Sequence, residues 1–167
     1  MTIALPDRPK VATHPVPTVH DPAGQRALID QFIARVTVSA DPWVLVLDLE
    51  GRLLEAGALY ELVVPLGNAI RERRQGQYAL VVATRDEPTI DVLRSLAVRH
   101  DLPLYIAPRK DALDAARPAV DLTPSRAAIF QAVSRVGVAT VAAVAKSVGV
   151  GHTSVSNTLS ALADEGL

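Results

Sequence analysis

The segment Trp43-Val-Leu-Val-Leu-Asp-Leu49 is a continuous apolar run bounded by Asp41-Pro42 on one side and Glu50-Gly51 on the other. A strand with one wet face alternates apolar and polar residues, and this one does not. It therefore predicts a strand buried on both faces, within a sheet covered by helices. Two further runs, Ala79 to Thr84 and Leu102 to Ala107, read as strands of the same kind. Between the runs the period changes to that of a helix. Residues 56–74 carry Leu59, Leu62, Val63, Leu66 and Ile70 at helical spacing and end at Gln75-Gly76. Residues 88–99 open on Pro88 and turn Ile90, Leu93, Leu96 and Ala97 inward. A short helix is expected from Arg109 to Ala116. Strand–helix–strand–helix–strand is the pattern of an α/β unit with parallel strands and right-handed crossovers.

The ends of the chain differ from this middle. Residues 1–20 hold Pro6, Pro9, Pro15 and Pro17 without sustained periodicity, which predicts an extended arm with room for a short edge strand. Asp21-Pro22 then opens a helix to about Arg35, with Leu28, Ile29, Phe32 and Ile33 as its apolar side. Arg117-Pro118 to Pro124 is a proline-marked joint, and only helical patterns follow it. A domain boundary is expected at 117–123, giving an α/β domain over 21–117 and a helical domain over 118–167.

Composition narrows the function. At 49% hydrophobic and 21% charged residues the chain can bury a real core, and aromatics at 4% offer few stacking platforms for single-stranded nucleic acid. The net charge of −1 is not that of a non-specific nucleic-acid binder, so any DNA contact has to come from a local patch. The chain has no Cys, which excludes disulfides, thiolate metal sites and Cys nucleophiles. No run approaches the ~18–20 apolar residues of a membrane span, and no basic-then-apolar leader opens the sequence. The expectation is a cytoplasmic protein without membrane contact.

The helical end carries the strongest functional pattern. Thr123-Pro124 enters a helix that closes before Gly137. Thr140 suits an N-cap for the helix of Val141, Val144, Ala145 and Val148, and Gly149-Val150-Gly151 makes a turn. In the third helix, Val155, Leu159 and Leu162 form an apolar stripe. Thr153, Ser156, Asn157 and Ser160 fall on the other side. A helix that docks by one face and offers short hydrogen-bonding side chains on the other suits the major groove of DNA.

Thr140, Val144-Ala145, Gly149-Val150, Val155-Ser156, Leu159, Leu162 and Gly166-Leu167 together resemble the winged helix-turn-helix of bacterial regulators of the MarR and ArsR kind, over roughly the last 45 residues. The resemblance implies a helix from near His152 that enters the major groove. By position Thr153, Ser154, Ser156, Asn157 and Ser160 would face the bases, while Lys146 and His152 reach phosphates. Asn157 alone among them can make a bidentate base contact, favouring adenine. Two departures stand out. The third helix carries no Arg or Lys, and the sequence stops at Leu167, where the family's wing begins, so the wing is expected to be absent or truncated.

Val44-Leu-Val-Leu-Asp-Leu-Glu-Gly51, Gly57-Ala-Leu-Tyr-Glu-Leu62, Gln77 to Thr84, and Leu93 onward to Tyr105-Ile-Ala107 resemble a STAS domain, the module of sulfate transporters and anti-sigma-factor antagonists. Regulatory members of that family carry a phosphorylated Ser at the start of the first long helix. The matching stretch here, Leu54-Glu55-Ala56-Gly57, has no hydroxyl. Glu55 reads as an ordinary first-turn acid.

Chemistry for an enzyme is sparse. Asp48 and Glu50, with Asp86 and Glu87, lie at strand ends where carboxylates can hold Mg²⁺, but strand-exit polarity explains them more simply. His14, His20, His100 and His152 are scattered, and no nucleophile elbow or phosphate-cradling loop occurs. Arg71, Arg73 and Arg74, with Glu72 among them, read as a solvated helix end. The expectation is therefore a non-enzymatic regulator with no cofactor or metal: a STAS-like sheet with covering helices, then an all-α (winged) helix-turn-helix domain. The module would bind double-stranded DNA as a homodimer, and the α/β domain would serve protein interaction, dimerisation or sensing. The alternative is an adaptor of the anti-sigma-antagonist type that does not bind DNA and uses the helices to dimerise.

Overall fold

The computed structural model describes residues 10–16, 21–38, 43–72, 78–136 and 140–164. Four parallel strands and three helices alternate along the chain: β1 (Lys10–Pro15), α1 (Pro22–Val38), β2 (Trp43–Asp48), α2 (Ala56–Glu72), β3 (Tyr78–Ala83), α3 (Glu87–His100) and β4 (Leu104–Ala107). A two-residue strand, β5 (Arg117–Pro118), pairs antiparallel with β4. The sheet order is β1-β2-β3-β4-β5, so every strand lies beside its neighbour in sequence. The fold is thus α/β with a mixed five-stranded sheet. Among the described residues no helix is long and apolar enough to cross a membrane.

That order fixes where the helices go. Right-handed crossovers that always advance in one direction place every connecting helix on the same face. The side chains follow, because the strand period is two. Leu45 and Leu47 of β2, Leu80 and Val82 of β3, and Leu104 of β4 pack with Leu28 and Phe32 of α1, Leu62 and Leu66 of α2, and Leu93 and Leu96 of α3. Each such side chain contributes roughly 1.5–3 kcal/mol when fully buried. Val46, Val81, Ala83 and Ala107 point the other way and are also buried. The continuous apolar run thus predicts two-sided burial correctly. The two faces are covered differently: α1, α2 and α3 share one, while Leu113, Ala116 and Tyr105 pack on the other.

Two elements differ from expectation. The segment 109–116 forms only a 3₁₀ turn at Leu113–Ala115, not an α-helix. The segment is spent on returning the chain from β4 to β5, whose Arg117 and Pro118 pair with Ile106 and Tyr105. The proline-marked joint begins inside the sheet, since Arg117 and Pro118 are β5 and the Ala119 N–H donates to the Leu104 carbonyl at 2.8 Å. The proline-rich arm contributes β1, whose partner is β2 in register Lys10 to Trp43 through Pro15 to Asp48. Pro15 is tolerated there because an edge strand has a side without ladder bonds.

Local details secure the helices. Pro65 lies inside α2 and removes one backbone donor. The helix persists around it because Leu62, Val63, Val64 and Leu66 are all buried. Gly67 lets α2 approach the end of α3, since a Cβ there would lie 2.9 Å from the Leu102 side chain. Arg71 corrects the reading of a merely solvated helix end. Its guanidinium donates to the His100 carbonyl at 2.9 Å and to Asn68 Oδ1 at 3.1 Å, tying α2 to the last turn of α3. Arg73, Arg74 and Gln75-Gly76 lie outside the described residues.

After the joint come α4 (Pro124–Val136), α5 (Val141–Val148) and α6 (His152–Asp164). Ile129, Val144, Val155 and Leu162 are their buried core, with Leu122, Val141 and Leu159 packed around it. Phe130 of α4 stacks on Tyr105 of β4, ring centroids 6.0 Å apart, so α4 touches the sheet face that the other helices leave open. Burial pushes the Tyr105 phenol upward.

Candidate functional site

The α5–turn–α6 unit is built from short-range signals. Thr140 is the N-cap of α5, its hydroxyl accepting from the Ala143 N–H at 3.2 Å. Gly149 ends α5 in the left-handed region at φ 67°, a conformation that costs glycine nothing and other residues about 1 kcal/mol or more. The Val150 N–H then reaches back to the Ala145 carbonyl at 3.2 Å, closing the orphan acceptors of the helix end. Gly151 leads into α6, and the Val155 N–H bonds its carbonyl at 3.1 Å.

The two faces of α6 separate as the periodicity predicts. Val155 and Leu162 are buried and Leu159 is half-buried against the same core. His152, Thr153, Ser154, Asn157 and Ser160 are exposed, as is Lys146 on α5. At 100° per residue, Thr153, Asn157 and Ser160 lie within an arc of about 60° opposite Val155. Ser156 is a correction: expected on the open face, it is half-buried at the margin of the core. The open face thus offers an amide, hydroxyls and His152, with Lys146 as a cation on the preceding helix. Residues 165–167, where the wing was expected to begin, lie outside the described residues.

A second polar region lies at the carboxyl ends of the strands. Asp48 closes β2, and its Oδ1 accepts the Glu50 N–H at 3.0 Å, turning the chain out of the sheet. Its Oδ2 accepts from Lys110 Nζ at 2.8 Å. Burial on its own raises the Asp48 carboxyl. The Lys110 and Glu50 hydrogen bonds, with the charges of Lys110 and Arg52, outweigh that and hold it below its ordinary value. Asp86 is likewise engaged: it caps α3 by accepting from the Thr89 N–H at 2.9 Å and the Thr89 hydroxyl at 2.6 Å. The Asp86 N–H donates to Thr84 Oγ1 at 3.2 Å.

These bonds commit Asp48 and Asp86 to partners within the fold. Glu50 is exposed, and Glu55 is exposed just before α2. Among the described residues no three His, Asp or Glu are grouped to hold a metal ion. The open space here instead forms two clefts either side of Arg85. One, about 400 Å³, runs past Leu49, Gly51 and Arg52; the other, about 370 Å³, runs between α3 and β5.

Sequence reasoning places Asp48 at a site-forming strand end but misses its partner. Lys110 is 62 residues away, and only the strand order brings it near. Arg85, Arg94 and Arg117, which line the α3–β5 cleft from three elements, were missed for the same reason. Comparison of the chain with protein-family models, with curated proteins and with solved structures finds no match in any of the three.

Proposed function

We propose that this chain is a DNA-binding transcriptional regulator acting in the cytoplasm, with a module of the winged helix-turn-helix type over its last helices. The carrying observation is the exposed polar face of α6, with Thr153, Asn157 and Ser160 on one arc while Val155 and Leu162 are buried behind them. In this reading α6 enters the major groove of double-stranded DNA. Asn157 reads a base edge, Thr153, Ser154, Ser156 and Ser160 supply further contacts, and Lys146 and His152 meet phosphates. The STAS-like α/β part mediates protein interaction, dimerisation or sensing. A homodimer places two α6 helices about 34 Å apart, one turn of B-DNA.

The test is a fluorescence-polarisation titration of the full chain against genomic DNA fragments at several salt concentrations. Affinity should fall steeply with salt. Asn157→Ala should weaken specific binding by about tenfold, and Lys146→Ala should lower the salt slope by about one. No binding at low salt, or a flat salt response, sinks the reading.

A second reading is favoured by one observation, the absence of Arg and Lys from α6. In it the protein is an adaptor that docks a partner through the α/β part and dimerises through the helices. It predicts that Asn157→Ala and Lys146→Ala leave function unchanged.

A further inference from the structure

Each of the first three strands is followed by a helix that covers the sheet, but β4 is not. The chain leaves β4 through Pro108, makes one 3₁₀ turn and returns as β5. A groove of about 370 Å³ stays open between α3 and β5, within the usual range of small-ligand sites. Its apolar lining is Ile90, Ile106, Pro108, Ala115 and Pro118. Ile106 and Arg117 are direct partners in the β4–β5 ladder, so their side chains point to the same side of the sheet.

Three arginines line this groove from three elements: Arg85 from the loop after β3, Arg94 from α3 and Arg117 from β5. Against them Glu87 is the one carboxylate of the lining. Arg94 is 3.7 Å from Asp91, an exposed pair of little strength. Arg85 and Arg117 have no carboxylate partner among the described residues. Such a concentration of cations stands out in a chain of net charge −1. Guanidinium groups beside an apolar floor match a molecule with an acidic group at one end and an apolar body at the other.

We propose that the α3–β5 groove binds a small organic anion, its acid group held by Arg85, Arg94 and Arg117 and its apolar body lying on Ile90, Ile106 and Pro108. The carboxyl end of a parallel sheet is where α/β proteins most often hold ligands. The inference gives the sensing part of the proposed function a ligand class and rests on that reading for its biological role. Binding is measured without DNA, so the two fail separately.

The experiment is isothermal titration calorimetry of the full chain with phenyl phosphate, benzoate and uncharged benzyl alcohol. Saturable binding of one anion or both is expected, with none for benzyl alcohol at the same concentration. A preference for phenyl phosphate assigns a phosphate ester, and a preference for benzoate a carboxylic acid. The double variant Arg94→Gln/Arg117→Gln should weaken binding at least tenfold with an unchanged circular dichroism spectrum. Arg85→Gln, in a loop outside the helices, should weaken it independently. No saturable heat from either anion, equal binding of benzyl alcohol, or undiminished binding in both variants overturns the proposal.

Discussion

The α/β part and the helical segment are packed to different depths. Among the described residues, Leu45, Leu47, Leu59, Leu62, Leu66, Leu80, Leu93 and Leu104 are large, fully buried side chains in the first, and Ile129 is their counterpart in the second. Around Ile129 the helical core is completed by two valines and Leu162. The sheet holds its helices through large, fully buried leucines, whereas α5 and α6 pack through smaller or half-buried residues such as Val141, Ala145, Val148 and Leu159, with Thr140 and Gly149 fixing the two ends of α5. Elements with fewer large buried side chains commonly open at lower cost than the global fold, so α4–α6 is expected to open before the sheet.

The largest expected effects come from truncating the two cores. Leu62→Ala in α2 should lower stability by about 3 kcal/mol, read as a lower urea midpoint. Ile129→Ala should cost about 2–3 kcal/mol at its own site, but its consequence should be local. Hydrogen exchange would then quicken in α5 and α6 while the amides of β2 and β3 keep their protection. Equal loss of protection in β3 would break the comparison. It would mean that the Phe130–Tyr105 stack joins both regions into one cooperative unit.

The same contrast decides what could be read from sequence. Val44 to Leu49, the spans of α2 and α3, Thr140 as cap and Gly149 as turn were legible because each depends on period or on one residue's local chemistry. The face of α6 was legible for that reason too, except at Ser156, whose position on the edge of the stripe leaves exposure to packing. Features that depend on strand order were not. Nothing near Lys110 announces Asp48, and Arg117 lines the same groove as Arg85 and Arg94 only because β5 returns beside β4. The 109–116 segment has alanines that favour a helix, but the chain there turns back from β4 to pair as β5.

Helix caps offer a finer comparison. Asp86 is half-buried and accepts two hydrogen bonds from Thr89, whereas Thr140 is exposed and accepts one at 3.2 Å. Asp86→Ala should cost about 1–2 kcal/mol and Thr140→Ala about 0.5–1 kcal/mol, compared by urea denaturation. A reversed order would show that α3 is held by its core contacts alone and that α5 depends on its cap far more than its packing implies.

The smallest effect is the pH dependence of the Asp48–Lys110 pair, whose partners all lie in the α/β part. The Asp48 carboxyl is held below its ordinary value of 3.8 in the folded chain, and the Lys110 ammonium is raised above 10.5 by the same hydrogen bond. A depressed carboxyl contributes stability that is present above its unfolded value and lost as pH falls through the folded one. A raised ammonium contributes stability that is present below its unfolded value and lost as pH rises through the folded one. The pair therefore acts over a plateau between the two and weakens at either end. Lys110 is half-exposed, so solvent screens much of the attraction. Urea midpoints measured from about pH 5 down to about pH 3 should fall less steeply in Lys110→Gln than in the parent chain. Identical slopes would assign acid sensitivity to other carboxylates and leave Asp48 only its turn-forming bond to Glu50.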